Sequence, residues 1–403
     1  LLLSAGDMIQ GNNWANLFQG ESIIELMKVM KFDVMEVGNH EFDFGLGVLK
    51  KRISEAQFPI LGANVEGLDG LKPFVIKDME GVKVAIIGVV TEDTPASTHP
   101  RNIAGLKFNS PINTVEKYIK ELKNKADIFI ILSHIGHYAD RIFAERVKGI
   151  DVIVGGHSHT KITKPVSMGH TIIVQAWEHG MALGVLDLTL KDRKIVRFEG
   201  HLEVIKPKTV KEDKMVLAIV EKYNQKGVAI LNARVGVAEV DLDGERGHVR
   251  KMETNLGNLI ADIMRYVSGA DVAIINGGGI RTSIEKGEVR VKDVYSALPF
   301  DNYIVAIRLM GRQIEEALEQ GVSAVKEEEG RFPQVSGLTF KYSSSEGRGS
   351  RVKEIIIAGR PIDFDKEYIV ATNDFLAAGG DGYKVFREAM KQSSDFSIIG
   401  GMM

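Results

Sequence analysis

Residues 38–45, GNHEFDFG, set an amide (Asn39), an imidazole (His40) and two carboxylates (Glu41, Asp43) between glycines, directly after the apolar run DVMEV (33–37). Alone, such a set reads as metal ligands, as catalytic groups or as a polar turn. Three other apolar runs end in a similar way. LLLSA (1–5) leads into Gly6-Asp7, DIFIIL (127–132) into Ser133-His134, and DVIVG (151–155) into Gly156-His157-Ser158-His159. In α/β sheets ligands collect beyond the carboxyl ends of strands, so if these strands are neighbours their ends converge on one edge. Taken singly, Gly-Asp is an ordinary turn and Ser-His a surface or core histidine. His-Ser-His, at i and i+2 on extended backbone, can turn both rings toward one ion. The joint pattern specifies a metal site. Its donors are Asp, Asn and His without any thiolate, a set suited to Zn²⁺, Mn²⁺, Co²⁺ or Fe²⁺. One carboxylate such as Asp7 can bridge two ions. A bridged pair ~3.5–4 Å apart polarises a phosphoryl group, makes hydroxide from water near neutral pH and stabilises both ends of an in-line displacement.

The elements that must position these groups follow from the pattern. From 1 to about 205, short apolar runs, VAIIGVV (84–90) among them, alternate with helical periodicity over 20–30, 45–56, 112–124 and 139–147, as in βαβ units. Residues 166–190 then take on strand and hairpin character. Over 206–229, Val216, Ile219, Val220 and Tyr223 recur at i, i+3, i+4, i+7, which predicts an amphipathic connector helix between KPK (206–208) and Gly227. A second α/β unit follows from about 232. It has helices over 254–267 and 311–321 and strands near 271–276, 303–309, 335–342, 352–358 and 367–372. EEE (327–329) and SSSEGRGS (343–350) read as exposed loops.

Composition narrows the functional classes. At 403 residues, two domains are expected. A net charge of −3 offers no basic surface for a nucleic acid polymer. No apolar run approaches the ~18 residues of a membrane helix. The absence of cysteine removes disulfides and thiolate sites, so any metal must use His, Asn, Asp or Glu.

In this order, Gly6-Asp7, Gly38-Asn39-His40-Glu41, Ser133-His134 and Gly156-His157-Ser158-His159 resemble the calcineurin-like metallophosphoesterases. The resemblance implies two divalent ions, with Asp7 as bridging ligand, Asn39, His134 and His157 on one ion, and His159 on the other. His40 is then not a ligand. It sits over the substrate phosphate and stabilises transition-state charge, with Asp43 as its partner, and Glu41 is structural. The residues agree, since i, i+3 on an incipient helix puts Asp43 on the same side as His40. A carboxylate there orients the ring and favours imidazolium. The family also carries Asp-x-His on a strand ahead of Gly-Asp. This chain opens in mid-strand without an initiator Met, so we expect further residues upstream, with Asp-x-His and any targeting segment among them.

The remainder resembles the 5′-nucleotidase C-terminal domain through ETNLGNLIAD (253–262), NGGGIR (276–281), ALPFDN (297–302), FPQVSG (332–337) and NDFLAAGGDGY (373–383). NGGGIR is not a Walker motif, because no Lys-Ser/Thr follows its glycines. Those glycines let backbone approach a ligand closely, and Arg281 offers a two-pronged fork to phosphate or ribose. The resemblance adds Arg250 as a second phosphate contact. It makes Phe300 and Phe375 the faces between which a base stacks, Asp381 an acceptor for ribose hydroxyls, Asn276 a base-edge contact and Gly337 part of the substrate site.

The expected fold is α/β. A four-layer α/β/β/α metallophosphoesterase sandwich spans 1–205, a linker helix 206–231, and a smaller α/β nucleoside-binding domain 232–403. The implied reaction is hydrolysis of nucleoside 5′-monophosphates by a water activated by two metals, in an interdomain cleft that closes or rotates during turnover. The rival readings are a 2′,3′-cyclic-nucleotide phosphodiesterase/3′-nucleotidase, a nucleotide-sugar hydrolase, and a non-catalytic nucleotide-binding protein. A periplasmic, secreted or cell-surface location follows from the resemblance alone. Monomer and homodimer are both open.

Overall fold

Parallel strands buried on both faces read as continuous apolar runs, and here such runs build two sheets in the N-terminal part of the chain. Leu3–Ser4, Val34–Glu36 and Ile60–Leu61 form a parallel three-stranded sheet. The second sheet runs Val166–Met168, Thr171–Gln175, Val152–Gly155, Ile128–His134, Val82–Val90, Phe74–Met79. Its four inner strands are parallel and its two edges antiparallel. The computed structural model describes residues 1–206, 210–300, 302–392 and 397–401. Pro207 and Lys208 of KPK and Asp301 of ALPFDN lie outside the described residues.

Three apolar clusters stack these sheets into layers. Val34 and Leu61 of the first sheet pack with Ile86, Ile130, Leu132 and Val152 of the second, joined by Leu186, Leu188 and Phe198 of the hairpin Ala182–Val204. The opposite face of the six-stranded sheet is covered by Val115 and Leu122 of the helix Pro111–Leu122 and Phe143 of the helix His137–Arg146. Ile24 and Met27 of Glu21–Val29 and Leu49 of Gly45–Glu55 cover Met35 of the other sheet. The order is helix, sheet, sheet, helix, the four-layer sandwich expected. One expectation is modified. The four ligand-bearing strand ends do not line one sheet edge; two belong to each sheet, and the sheets bring them together face to face.

The chain divides into two units, Leu1–Lys226 and Gly227–Met403, within the helix Lys214–Leu231. In the first unit that helix is fixed by buried Tyr223. Its hydroxyl shares its one proton between carboxylate oxygens of Glu21 at 2.9 Å and Glu25 at 2.8 Å, and its ring lies 4.9 Å from that of Phe18. The helix does not stop at Gly227 as its sequence suggests. A glycine inside a helix costs only ~1 kcal/mol relative to alanine, and Gly227 is buried.

The second unit is built on a five-stranded sheet, ordered Pro333–Ser336, Val272–Asn276, Glu367–Asn373, Tyr303–Met310, Ser397–Gly401. The helix Asn255–Ser268 covers one face through Leu256, Ile260 and Met264. Its start is set by Thr254, whose hydroxyl accepts the Gly257 N–H at 3.1 Å. Ile314 and Leu318 of Gly311–Gly321, with Phe386, cover the other face. The single strand expected over 335–342 is two strands, broken at Gly337. There φ is +75° and a Cβ would lie 2.3 Å from the Asp271 carbonyl oxygen, so only glycine fits. Among the described residues no helix is long and apolar enough to cross a membrane.

Glu36 is an exception inside the inter-sheet core. It is fully buried, and neither carboxyl oxygen has a hydrogen-bond partner among the described residues. The carboxyl group lies against Gly88, where a Cβ would come within 1.6 Å of Oε2. Burial, with the nearby Glu41 carboxylate, pushes the acid well above its ordinary range. The unfolded chain therefore loses this proton at lower pH than the folded one, and stability falls as pH rises from the normal glutamate range toward the folded value. Glu36→Gln removes that slope. Thermal melts should show the variant gaining more over wild type at about pH 8 than at about pH 5; a gain independent of pH would contradict a buried neutral acid.

Candidate metal centre and substrate site

The loops after the four strands bring Asp7, Asn39, His134 and His157 together. His134 Nε2 lies 3.0 Å from Asp7 Oδ2 and 3.2 Å from Asn39 Oδ1, and His157 Nδ1 is 3.0 Å from the same Asn39 oxygen. Asp7, His134 and His157 each offer a donor atom within 4.8 Å of the others. Asn39 and His134 are buried. The backbone approaches closely here. A Cβ on Gly38 would sit 2.1 Å from Asp7 Oδ1, so no larger residue can occupy that position.

Two neighbours fix the donors. His134 Nδ1 donates to the Ala5 carbonyl oxygen at 2.6 Å, which assigns a proton to Nδ1 and turns Nε2 toward Asp7 and Asn39. Buried Glu41 accepts backbone N–H groups from Asp7 at 2.7 Å, Met8 at 2.6 Å and Ile9 at 3.2 Å, and a fourth from Gly38. It thus ties the loop after the first strand to the loop after the second and is engaged with backbone.

Charge is distributed to suit a cation. Burial alone would raise Asp7, but the His134, His40 and His157 imidazoles hold it well below the usual carboxylate range. Burial, with His134 beside it, pushes His157 down to about 3, so the ring is neutral and carries a lone pair. Ligand nitrogens and carboxylates must be deprotonated to bind metal. Burial would lower His134, but the Asp7 carboxylate raises it, so that Nε2 carries a proton toward Asp7 that a metal ion must displace. A divalent cation in that proton's place satisfies the arrangement, so the residues fit the implied ion.

His40 belongs to the same loop but points elsewhere. Its Nδ1 pairs with Asp43 Oδ2 at 2.7 Å and its backbone N–H donates to Asp7 Oδ1 at 2.9 Å. The pairing leaves Nε2 on the far side of the ring from Asp43.

His159 stands in a second group with Glu178 and His179, whose donor atoms also fall within 4.8 Å of one another. Glu178 and His179 were missed from sequence. They stand just past the strand Thr171–Gln175, after Ala176 and Trp177, so the strand-end rule that found the other ligands also points to them.

In the second unit the NGGG turn gathers the residues expected there. Gly277 and Gly278 donate to the Phe332 and Gly330 carbonyls, each at 2.7 Å. Asn276 Nδ2 donates to Asp381 Oδ2 at 2.7 Å, and Asn276 Oδ1 accepts from Asn373 at 3.0 Å. Asp381 has φ +51°, and burial raises its pKa against the Asn276 hydrogen bond. The Arg281 guanidinium lies 5.7 Å from the centre of the Phe300 ring. Phe300 lines a recess with Ile275, Gly279, Leu298, Asn302 and Asn373. The Phe375 ring packs on Gly380, beside Asp381. Burial, with Arg246 and Arg281 close by, pushes Arg250 down to about 9. Two buried guanidinium nitrogens, Arg250 Nε and Arg331 Nε, have no hydrogen-bond partner among the described residues. Unsatisfied N–H groups among like charges call for an anion. Arg246 and Arg331 were not anticipated. Arg246 stands one helical turn before Arg250, and that spacing is its only sequence signal. Gly337 is not brought into this group: it lies beside Asp271, beyond the opposite end of the strand Val272–Asn276.

Removing the Glu41 carboxylate strands several buried backbone donors at once. Glu41→Ala should lower unfolding free energy by about 3 kcal/mol or more, at about 1–3 kcal/mol per orphaned group. Denaturant unfolding of the metal-free protein measures this. A loss confined to the metal-loaded form would instead make Glu41 a ligand.

Comparison with known proteins agrees with this geometry. Residues 1–161 match the calcineurin-like phosphoesterase model and residues 234–388 the 5′-nucleotidase C-terminal domain model. The chain is 36% identical, over 96% of its length, to the trifunctional nucleotide phosphoesterase protein YfkN of Bacillus subtilis, of which it covers 30%. It is 31% identical, over 95% of its length, to protein UshA of Yersinia enterocolitica, of which it covers 78%. The crystal structure of a 5′-nucleotidase precursor from Thermus thermophilus superposes on the whole chain with a TM-score of 0.92 at 34% identity, and 85% of that structure is covered.

Proposed function

This chain belongs to the 5′-nucleotidase family of calcineurin-like phosphoesterases and is a hydrolase of phosphoric esters, and from that premise we propose that it cleaves nucleoside 5′-monophosphates to nucleoside and phosphate at a centre of two divalent ions. The observation that carries the reading is the convergence of Asp7, Asn39, His134 and His157 on one point, with the His40–Asp43 pair alongside.

In this reading Asp7, Asn39, His134 and His157 would hold one ion, and His159, together with Asp7, would hold a second. Divalent ions bound there supply Lewis-acid polarisation of the phosphoryl oxygens and lower the pKa of water. The protein's own groups do the rest. Asp43 orients His40 through Nδ1, favours its charged form and directs Nε2 toward the phosphate, where it stabilises charge that grows in the transition state. In the second unit Arg250 and Arg281 contact the substrate's anionic groups, Phe300 and Phe375 flank its base, and Asp381 accepts from its ribose hydroxyls. Asn276 contacts the base edge and, through its bond to Asp381, keeps that carboxylate oriented. A periplasmic, secreted or cell-surface location is inferred from the resemblance alone.

Replacing His40 with Ala should reduce kcat by roughly 10²–10³ while metal analysis finds wild-type content. Loss of metal together with activity would make His40 a ligand.

The base clamp has its own test. Wild type should prefer nucleoside 5′-monophosphates over 3′-nucleotides, 2′,3′-cyclic nucleotides and nucleotide sugars. Phe300→Ala and Phe375→Ala should each raise KM for the 5′-monophosphates by about 5- to 150-fold, the equivalent of one stacked base, and leave p-nitrophenyl phosphate hydrolysis unchanged. Equal losses on both substrates would assign the rings to the core.

A further inference from the structure

The loop Ala176–Met181, outside the set of ligands assigned above, is built against the turn that carries His159. Gln175 holds that turn from both sides. Its Nε2 donates to the Gly156 carbonyl at 3.1 Å, and its Oε1 accepts from Ser158 Oγ at 3.3 Å. Ala176 bridges to Lys161, the Ile162 N–H donates to the Gln175 carbonyl at 3.3 Å, and Lys161 Nζ lies 3.7 Å from the centre of the Trp177 ring. The Met181 N–H closes back onto the Glu178 carbonyl at 2.9 Å. His159, Trp177 and His179 have φ of +56°, +71° and +51°. For side chains other than glycine that conformation costs roughly 1–2 kcal/mol each. The chain accepts the cost at three positions and thereby sets Glu178 against His159, with Oε2 at 2.7 Å from Nδ1.

We propose that Glu178 is a positioning residue for the second ion: its carboxylate takes the Nδ1–H of His159, fixes the tautomer and presents Nε2 of that ring to the metal. The inference rests on the reading of His159 as an ion ligand. A carboxylate on the far nitrogen of a ligating histidine locks the ring and raises its basicity. The same arrangement is found at the first group, where the Ala5 carbonyl takes Nδ1–H of His134 and turns Nε2 toward Asp7 and Asn39. The alternative is a separate site made of His159, Glu178 and His179. Glu178 Oε2 is already committed to His159, His179 Nε2 lies 3.6 Å from that oxygen, beyond a good hydrogen bond, and the His179 side chain is 60% exposed.

Mn²⁺ titration of the full-length metal-free protein, followed by calorimetry and by electron paramagnetic resonance of the bound ion, tests this. Wild type should take up two ions. Glu178→Ala should bind one of them about 10- to 100-fold more weakly and the other as wild type does. Glu178→Asp should recover most of the loss, and His179→Ala should bind both ions normally. Two wild-type affinities in Glu178→Ala would overturn the inference, as would a loss in His179→Ala equal to that in Glu178→Ala. A wild-type chain that bound fewer than two ions would overturn the two-ion reading and this inference with it, so the two failures are separable.

Discussion

The metal centre depends on holding Asp7, Asn39 and His134 face to face at one point, where a cation can take the place of the proton that His134 carries toward Asp7. Side-chain packing alone would not do this, because these groups would separate into solvent. The constraint that does is backbone hydrogen bonding from behind. Glu41 receives N–H groups from residues 7, 8 and 9 and from Gly38. The Ala5 carbonyl holds His134. The donors are therefore pinned to two loops that are pinned to each other, and the loops hang from sheets fixed by apolar packing between them. Geometry set in this way needs little reorganisation when an ion binds, the condition under which electrostatic stabilisation is most effective.

The second unit meets a related problem with opposite sign. Arg250, Arg281 and Arg246 lie close enough that burial and mutual repulsion bring Arg250 down to about 9. Part of that repulsion is offset by the carboxylates of Asp381 and Glu328, and part is left unsatisfied at two guanidinium nitrogens. In the proposed reading a bound anion would complete those bonds. The Asn276–Asp381 bond shows why the amide is required: it donates to the carboxylate while its oxygen accepts from Asn373, so that one residue orients both neighbours.

Much of this was legible in the sequence because strand ends are short-range features. Apolar runs that stop at Gly-Asp, Gly-Asn-His, Ser-His and Gly-His-x-His announce where side chains leave a sheet, and Asp7, Asn39, His134 and His157 do converge. Which strands pair was not legible. Pairing is decided by long-range packing, so a single edge was expected where two facing sheets supply two ends each. Glycine was ambiguous for a similar reason. Gly227 resembled a helix stop but lies inside the helix, where burial outweighs a penalty of ~1 kcal/mol. Gly337 resembled a substrate contact within a family motif, yet its conformation and its contact with Asp271 are demanded by a turn. Glu178 and His179 obeyed the strand-end rule but were hidden in a stretch that read as hairpin.

The two glutamates of DVMEVGNHE show the limit most sharply. Glu36 and Glu41 are five residues apart, equally buried and of identical chemistry. Strand alternation turns Glu36 into the space between the sheets, against Gly88, where no donor reaches it. The short helical turn after Gly38 swings Glu41 under the neighbouring loop, where it meets four backbone N–H groups. Burial raises both acids, and at Glu41 the Asp7 carboxylate adds to the rise; there the N–H groups of Gly38 and Asp7 counter part of it, whereas no donor counters it at Glu36. The residue type fixes neither outcome. Period and turn decide which donors each carboxylate meets, and three of the four that Glu41 meets belong to residues more than thirty positions away.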